Sequence, residues 1–231
     1  MSKKYELLDK DPETGLHRIK ALRDIPKYGI RAGDLGGFIG SEENLSHTGD
    51  AWVFGNANVS GNAKVSENAK VSGNARVFGY AKVFGNALVS GDAGVWGNAW
   101  VSGNAHVYGK AWVQENAGVY GNAKVLRKAR LSGYAEVSGD AWVLGDAKIK
   151  RNIRIESNLD FISFYGPRHH ITITKGYISI GCKIWDSLDD FFQDYVDVAE
   201  YYDYTKEERE FTRDMVEAGH KSISIRSRKK V

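Results

Sequence analysis

The chain has 231 residues, 42% of them hydrophobic and 26% charged, with a formal net charge of +3. That length suits one elongated domain or one domain with small ends, and the charge is too mild to indicate nucleic acid by itself. A single cysteine, Cys182, excludes an intrachain disulfide framework and fits a reducing compartment, and the start Met1-Ser-Lys-Lys-Tyr-Glu6 lacks an apolar signal core. No stretch approaches a membrane span, so a cytoplasmic protein is expected. The first element in chain order is short-stranded: Leu16, Arg18 and Lys20 alternate with His17, Ile19 and Ala21, punctuated by Pro26 and Gly29. Residues 1–36 are therefore expected to form an N-terminal cap.

From Gly49 to Glu156 the chain divides into eighteen consecutive six-residue units without insertion or deletion, typified by Gly61-Asn62-Ala63-Lys64-Val65-Ser66. The fifth position is Val in fifteen units, with Leu131, Ile149 and Ile155 in the others; the third is Ala in all but one, which carries Ile153. An extended x-Val-x triplet points its centre one way and both neighbours the other. Gly and Asn tolerate positive φ, so Gly-Asn-Ala serves as a tight corner. Three strands and three corners close an 18-residue coil, and six stacked coils give a prism roughly 29 Å long at about 4.8 Å per strand spacing. The segments Gly37–Glu42 and Glu43–Thr48 extend the phase backwards with Ile39 and Leu45 replacing Ala. That phase places His47 inward near the first coil, as a buried, hydrogen-bonded histidine at the end of the core. The solenoid is expected over residues 37–162.

After Glu156 the repeat decays through Asn158, Leu159 and Phe161 into a region expected to cap the far end, residues 163–231. Ile171–Thr174 and Tyr177–Ile180, joined by Lys175-Gly176, predict a hairpin. Two helices follow. Ser187 with Asp190 and Thr205 with Glu208 are start signals. Leu188, Phe191, Phe192, Tyr195, Val196 and Ala199 form the first apolar stripe; Phe211 and Met215 form the second, with Gly219 as its stop. The closing segment, Lys221 to Val231, is basic and reads as a solvated terminus.

The uninterrupted Gly-Asn-Ala-x-Val-x period resembles the hexapeptide-repeat consensus of left-handed parallel β-helices, an exception to right-handed crossover. The fold class expected from it is mainly β, with an N-terminal cap, a C-terminal hairpin and two short helices. A narrower likeness covers nearly the whole chain. Arg18-Ile-Lys-Ala-Leu-Arg-Asp24, Ala32-Gly-Asp-Leu-Gly-Gly-Phe38 and Ser41-Glu-Glu-Asn-Leu-Ser46 lead into the repeats, and Ile178-Ser-Ile-Gly-Cys182 and Ser187-Leu-Asp-Asp-Phe191 follow them. These segments resemble YdcK-like hexapeptide-repeat proteins, many of them encoded by bacteriophages and prophages. The resemblance implies a protein at work in the cytoplasm of a bacterial host cell, and implies no activity.

With the phase unbroken, each outward residue is assigned to a wall. Wall one carries Trp52/Phe54, His106/Tyr108 and Trp142/Leu144 among others. On walls two and three the large aromatics crowd the same three middle coils: Phe78, Trp96 and Trp112 beside Phe84, Trp100 and Tyr120. Two such strips exceed ordinary apolar exposure, and a contact between unlike walls of neighbouring subunits closes into a ring. Since hexapeptide-repeat relatives are commonly trimeric, the resemblance implies a homotrimer. Arg76 and Lys82 border the strips, and Gly94 and Gly118 read as recesses beside Trp96 and Tyr120, a surface suited to a flat anionic ligand. Simple subunit packing with cationic rims is the competing reading.

Acyl transfer from acetyl-CoA, which the resemblance also suggests, relies on a histidine base near a subunit interface. Here His106 is the only histidine within the eighteen units; it lies on wall one, away from the aromatic strips, and is a weak catalytic candidate. His169-His170 lack companions at metal-ligand spacing, so no metal site is expected. No P-loop, GxSxG or dinucleotide fingerprint occurs, no cofactor is implied outside the acyltransferase alternative, and Arg76, Lys82, Arg130, Lys148 and Lys150 come without a nucleic-acid module. The favoured expectation is a non-catalytic oligomeric binding protein that sequesters a small nucleotide-like host ligand or blocks a host protein through its C-terminal helices. An acyltransferase and a structural spacer are the alternatives.

Overall fold

Alternation and corners act as the period requires. The computed structural model describes residues 3–158 and 160–228, with side chains through Ile225, and its centre is a left-handed parallel β-helix. Positions four and five of every unit form a two-residue strand, from Trp52–Val53 to Arg154–Ile155. Each strand pairs in parallel with the one a full coil on: Asn58 lies opposite Arg76, Arg76 opposite Gly94, and Gly94 opposite Trp112. The three resulting sheets are the three walls. The third- and fifth-position residues, from Ala51 and Val53 to Ala147 and Ile149, are buried in one continuous core, while Trp96, Trp100 and Trp112 lie outside it.

The corners divide their work differently from the sequence expectation. First-position residues alone take the left-handed conformation, and a Cβ on Gly103 would stand 3.0 Å from the Gly121 backbone nitrogen. Where the first residue is not glycine, Glu67, Glu115, Arg127 and Arg151 still adopt φ of 59°, 59°, 62° and 62°. Asn needs no positive φ, because one left-handed residue turns each corner. Its side chain instead runs up the prism: the Asn68 amide donates to Asn86, Asn86 to Asn104, Asn104 to Asn122 and Asn122 to Asp140. The Glu115 carboxylate accepts from the Gly133 backbone N–H at 2.7 Å, and Glu67 does the same with Gly85 at 3.1 Å, offsetting their strained φ. Glu115→Ala keeps the strain and loses the bond, so it is expected to cost about 1–2 kcal/mol. Glu115→Gly loses both and is expected within about 0.5 kcal/mol of wild type by urea denaturation.

At the N-terminal end, strands Tyr5–Lys10, His17–Ala21 and Leu35–Ile39 form an antiparallel meander whose last member continues the sheet of wall two. The phase differs from the expected one. Ile39 lies opposite Val59 and Leu45 opposite Val65, so both occupy valine rather than alanine positions. Two extra residues enter between Leu45 and Trp52, and His47 sits in that insertion. Asn44 makes the slip possible. Buried, it accepts from Gly40 and Ser41 N–H and donates to Gly61 and Ala63 carbonyls, satisfying a coil edge that backbone would otherwise pair. His47 is half-buried against Tyr5, ring centroids 4.3 Å apart, and accepts from the Lys4 N–H.

Trp52, assigned to an outward position, is 1% exposed because the cap folds over wall one. The Lys4 ammonium donates to Ala51 O at 2.7 Å, Tyr28 meets Phe54 edge-on, and Lys27 reaches Asn86. Burial, with repulsion from Arg23, pushes the Lys4 pKa down to about 8.

At the other end, the expected hairpin is the centre of a four-stranded antiparallel sheet. Phe161–Tyr165 flanks it on one side and Lys183–Trp185 on the other. The Tyr177 hydroxyl closes the last strand of wall two, donating to Lys148 O at 2.6 Å and accepting from Lys150 N–H at 2.9 Å. Tyr177→Phe leaves both backbone groups unpaired and is expected to cost about 1–3 kcal/mol, read as a lowered denaturation midpoint.

Helix α1 (Leu188–Tyr201) starts at Ser187 as expected and buries Phe191, Tyr195 and Ala199, but Val196 is exposed. Helix α2 (Lys206–Arg228) does not stop at Gly219. That glycine lets the helix approach the sheet, where a Cβ would fall 2.5 Å from Ile173 Cδ1. Thr212, Val216, Gly219 and Ile223 form the buried stripe, and Phe211 points outward. Leu159 and the basic side chains from Arg226 onward lie outside the described residues.

Candidate functional site

In a stack of identical coils, outward residues of one wall stand about one strand spacing apart, close enough for side chains to touch. On wall two this brings Phe78 and Trp96 into parallel stacking at 5.5 Å with a 4° interplanar angle. Trp112 meets Trp96 edge-on at 5.3 Å. The next coil places the Arg130 guanidinium 4.4 Å from the Trp112 ring centroid. Gly94 is not a recess, since the Trp96 indole lies over it and a Cβ there would stand 2.6 Å from the ring. Gly118 on wall three is covered likewise by Trp100. The missing Cβ leaves room for each indole against the backbone, so neither glycine is itself a recess.

These groups open onto a cleft of about 590 Å³, whose polar rim is Arg76, Lys110, Lys128, Arg130, Asn74 and Asp92. No family model matches the chain, and no curated protein matches it. Four cations face one carboxylate, and Asp92 is occupied by the Asn74 amide at 3.0 Å. Among the described residues, none of the four cations forms an ion pair.

The sequence-predicted residues divide between two surfaces. Arg76, Phe78, Trp96 and Trp112 come together on wall two. Lys82, Phe84 and Trp100 line a shallower depression of about 920 Å³ on wall three, with Lys64, Tyr80 and Glu43 at its rim. Tyr120 belongs to neither: its hydroxyl donates to Glu136 at 3.0 Å, and Arg154 holds the same carboxylate at 2.9 Å. His106 stays on wall one, in register between Leu88 and Lys124. Burial, with repulsion from Lys124, holds its pKa below the ordinary histidine value.

Lys110 and Lys128 are the functional candidates that wall-by-wall sorting missed, because they occupy corner positions. Further along wall two, burial lowers the Lys148 pKa, with Lys150 and Arg130 adding repulsion. His169 and His170 are engaged with Tyr204 and Ser163 hydroxyls, both at 2.5 Å. Among the described residues no group of three or more His, Cys, Asp or Glu is placed to hold a metal ion. Nor, among them, is any helix long and apolar enough to cross a membrane.

Proposed function

We propose that the protein is a non-catalytic, oligomeric binding protein of phage or prophage type. It holds a flat anionic, nucleotide-like ligand of the bacterial host cell on wall two. The observation that carries this reading is the Phe78–Trp96–Trp112 cluster bordered by Arg76, Lys110, Lys128 and Arg130. Exposed indoles offer a stacking surface for a planar ring, and unpaired guanidinium and ammonium groups offer charge-assisted hydrogen bonds to an anion. The phage or prophage placement rests on the likeness of the lead-in segments to YdcK-like proteins.

Assembly completes the reading. Phe78 and Trp112 remain 39% and 38% exposed, and wall three presents Trp100 and Phe84 at the matching coils. Wall two of one subunit against wall three of the next is a heterologous contact, which a threefold axis closes into a trimer. In that arrangement the ligand's ring lies at the seam, between the wall-two indoles and the facing wall, and the corner lysines stand at its open rim. Native mass spectrometry of protein purified from bacterial cytoplasm without added ligand should show a trimer carrying a small anion that denaturation releases. A monomer with no retained species, in preparations from infected and uninfected cells alike, would refute it.

A further inference from the structure

The cleft on wall two is two-ended. Its N-terminal part is mainly aromatic, with Phe78, Trp96 and Trp112 on three successive coils and Arg76 at its outer end. Its C-terminal part is cationic. In strand register, Trp112 is followed by Arg130 and Arg130 by Lys148, each about one strand spacing on. Lys110 and Lys128 repeat the charge along the adjacent corner, and Lys150 adds it just past the last strand.

We infer that wall two accepts a nucleoside polyphosphate, with the base on the indoles and the phosphate arm on Arg130, Lys128 and Lys148, pointing toward the C-terminal sheet. This rests on the binding role proposed above and specifies the ligand class.

Three features favour an arm of several phosphates over a single charge. The cations are spread along the prism axis rather than gathered around one point, so one phosphate cannot reach all of them. Burial chiefly lowers the Lys148 pKa, repulsion from Lys150 and Arg130 adds to it, and an anion lying among these cations relieves that repulsion. The carboxylates nearby are outnumbered: Asp92 and Asp146 flank Lys110 and Lys128 along the corner, while Arg130, Lys148 and Lys150 add three more cations on the wall.

The strip is also short. At its far end the Lys148 ammonium donates to Gly181 O at 2.7 Å and the C-terminal sheet closes the wall; at its near end the strand beyond Arg76 carries the neutral Asn58. A groove for nucleic acid would continue past both ends. This one is bounded, as a small ligand requires.

Isothermal titration of the full chain with adenosine and guanosine and with their mono-, di- and triphosphates tests the assignment. Affinity should rise about tenfold with each of the first two phosphates added. Lys128→Gln should weaken triphosphate binding about tenfold while leaving the nucleoside unchanged, and Trp112→Ala should weaken all of them. Lys128 is an exposed corner residue, and circular dichroism checks that the variant retains the β-helix. Equal affinity across the series, insensitive to Lys128→Gln but lost in Trp112→Ala, would overturn the polyphosphate assignment and leave the binding role standing. No binding by any member would remove both. Affinity for single-stranded oligonucleotides that grows with length would overturn the small-ligand assignment in favour of nucleic acid.

Discussion

Val107→Asp is expected to abolish folding, whereas Tyr108→Asp, one residue along, is expected to leave the fold intact. Val107 is fully buried in the ladder between Val89 and Val125, while Tyr108 is 38% exposed on wall one. An aspartate at 107 forfeits roughly 1.5–3 kcal/mol of apolar burial. It also places a charge with no partner in the core, at an effective cost of several kcal/mol. Against a total stability of about 5–15 kcal/mol, that sum decides the outcome. The defect also cannot stay local, because each coil is held mainly by its neighbours and a broken middle coil exposes core on both sides. Circular dichroism and soluble yield of the two variants read the contrast. Similar behaviour of both would mean that inward and outward positions had been misassigned.

Trp96→Lys is expected to reduce the proposed trimer to monomers without unfolding the chain. The indole ties together the wall-two cluster, stacking on Phe78, meeting Trp112 and covering Gly94. Buried interface tryptophans commonly cost 2 kcal/mol or more when truncated, and a threefold ring repeats the loss at each contact. A lysine also adds like charge near Arg76 and Lys110. Light scattering should show the mass falling to that of one chain, with an unchanged β-sheet circular dichroism spectrum. An unchanged mass would exclude this face from the assembly.

The period of six made the prism legible, since valines spaced by six residues sort every flanking side chain onto a wall. It was misleading at the start of the solenoid. Ile39 and Leu45 read as bulky replacements for alanine, yet they stand at valine positions, and the two-residue slip is invisible without the buried amide of Asn44. Trp52 followed the pattern and was still buried, because coverage by the cap depends on contacts between distant segments.

In the candidate site, Arg76, Phe78, Trp96 and Trp112 followed from wall assignment alone. Lys110 and Lys128 did not, although a signal existed: the corner position usually held by Asn carries Lys in two consecutive coils of one edge. Gly94 and Gly118 read as recesses because side-chain lean is not written in spacing, and the indoles in fact lie across them. In the C-terminal region, Gly219 resembled a helix stop, but its missing Cβ serves close packing against Ile173.

Sedimentation equilibrium of the full chain across micromolar concentrations bears most directly on the proposed pairing of walls two and three, which would place the cleft at a subunit seam. A mass three times that of the 25.6 kDa chain is expected, falling to one chain in Trp96→Lys. A wild-type mass of 25.6 kDa throughout that range would contradict it.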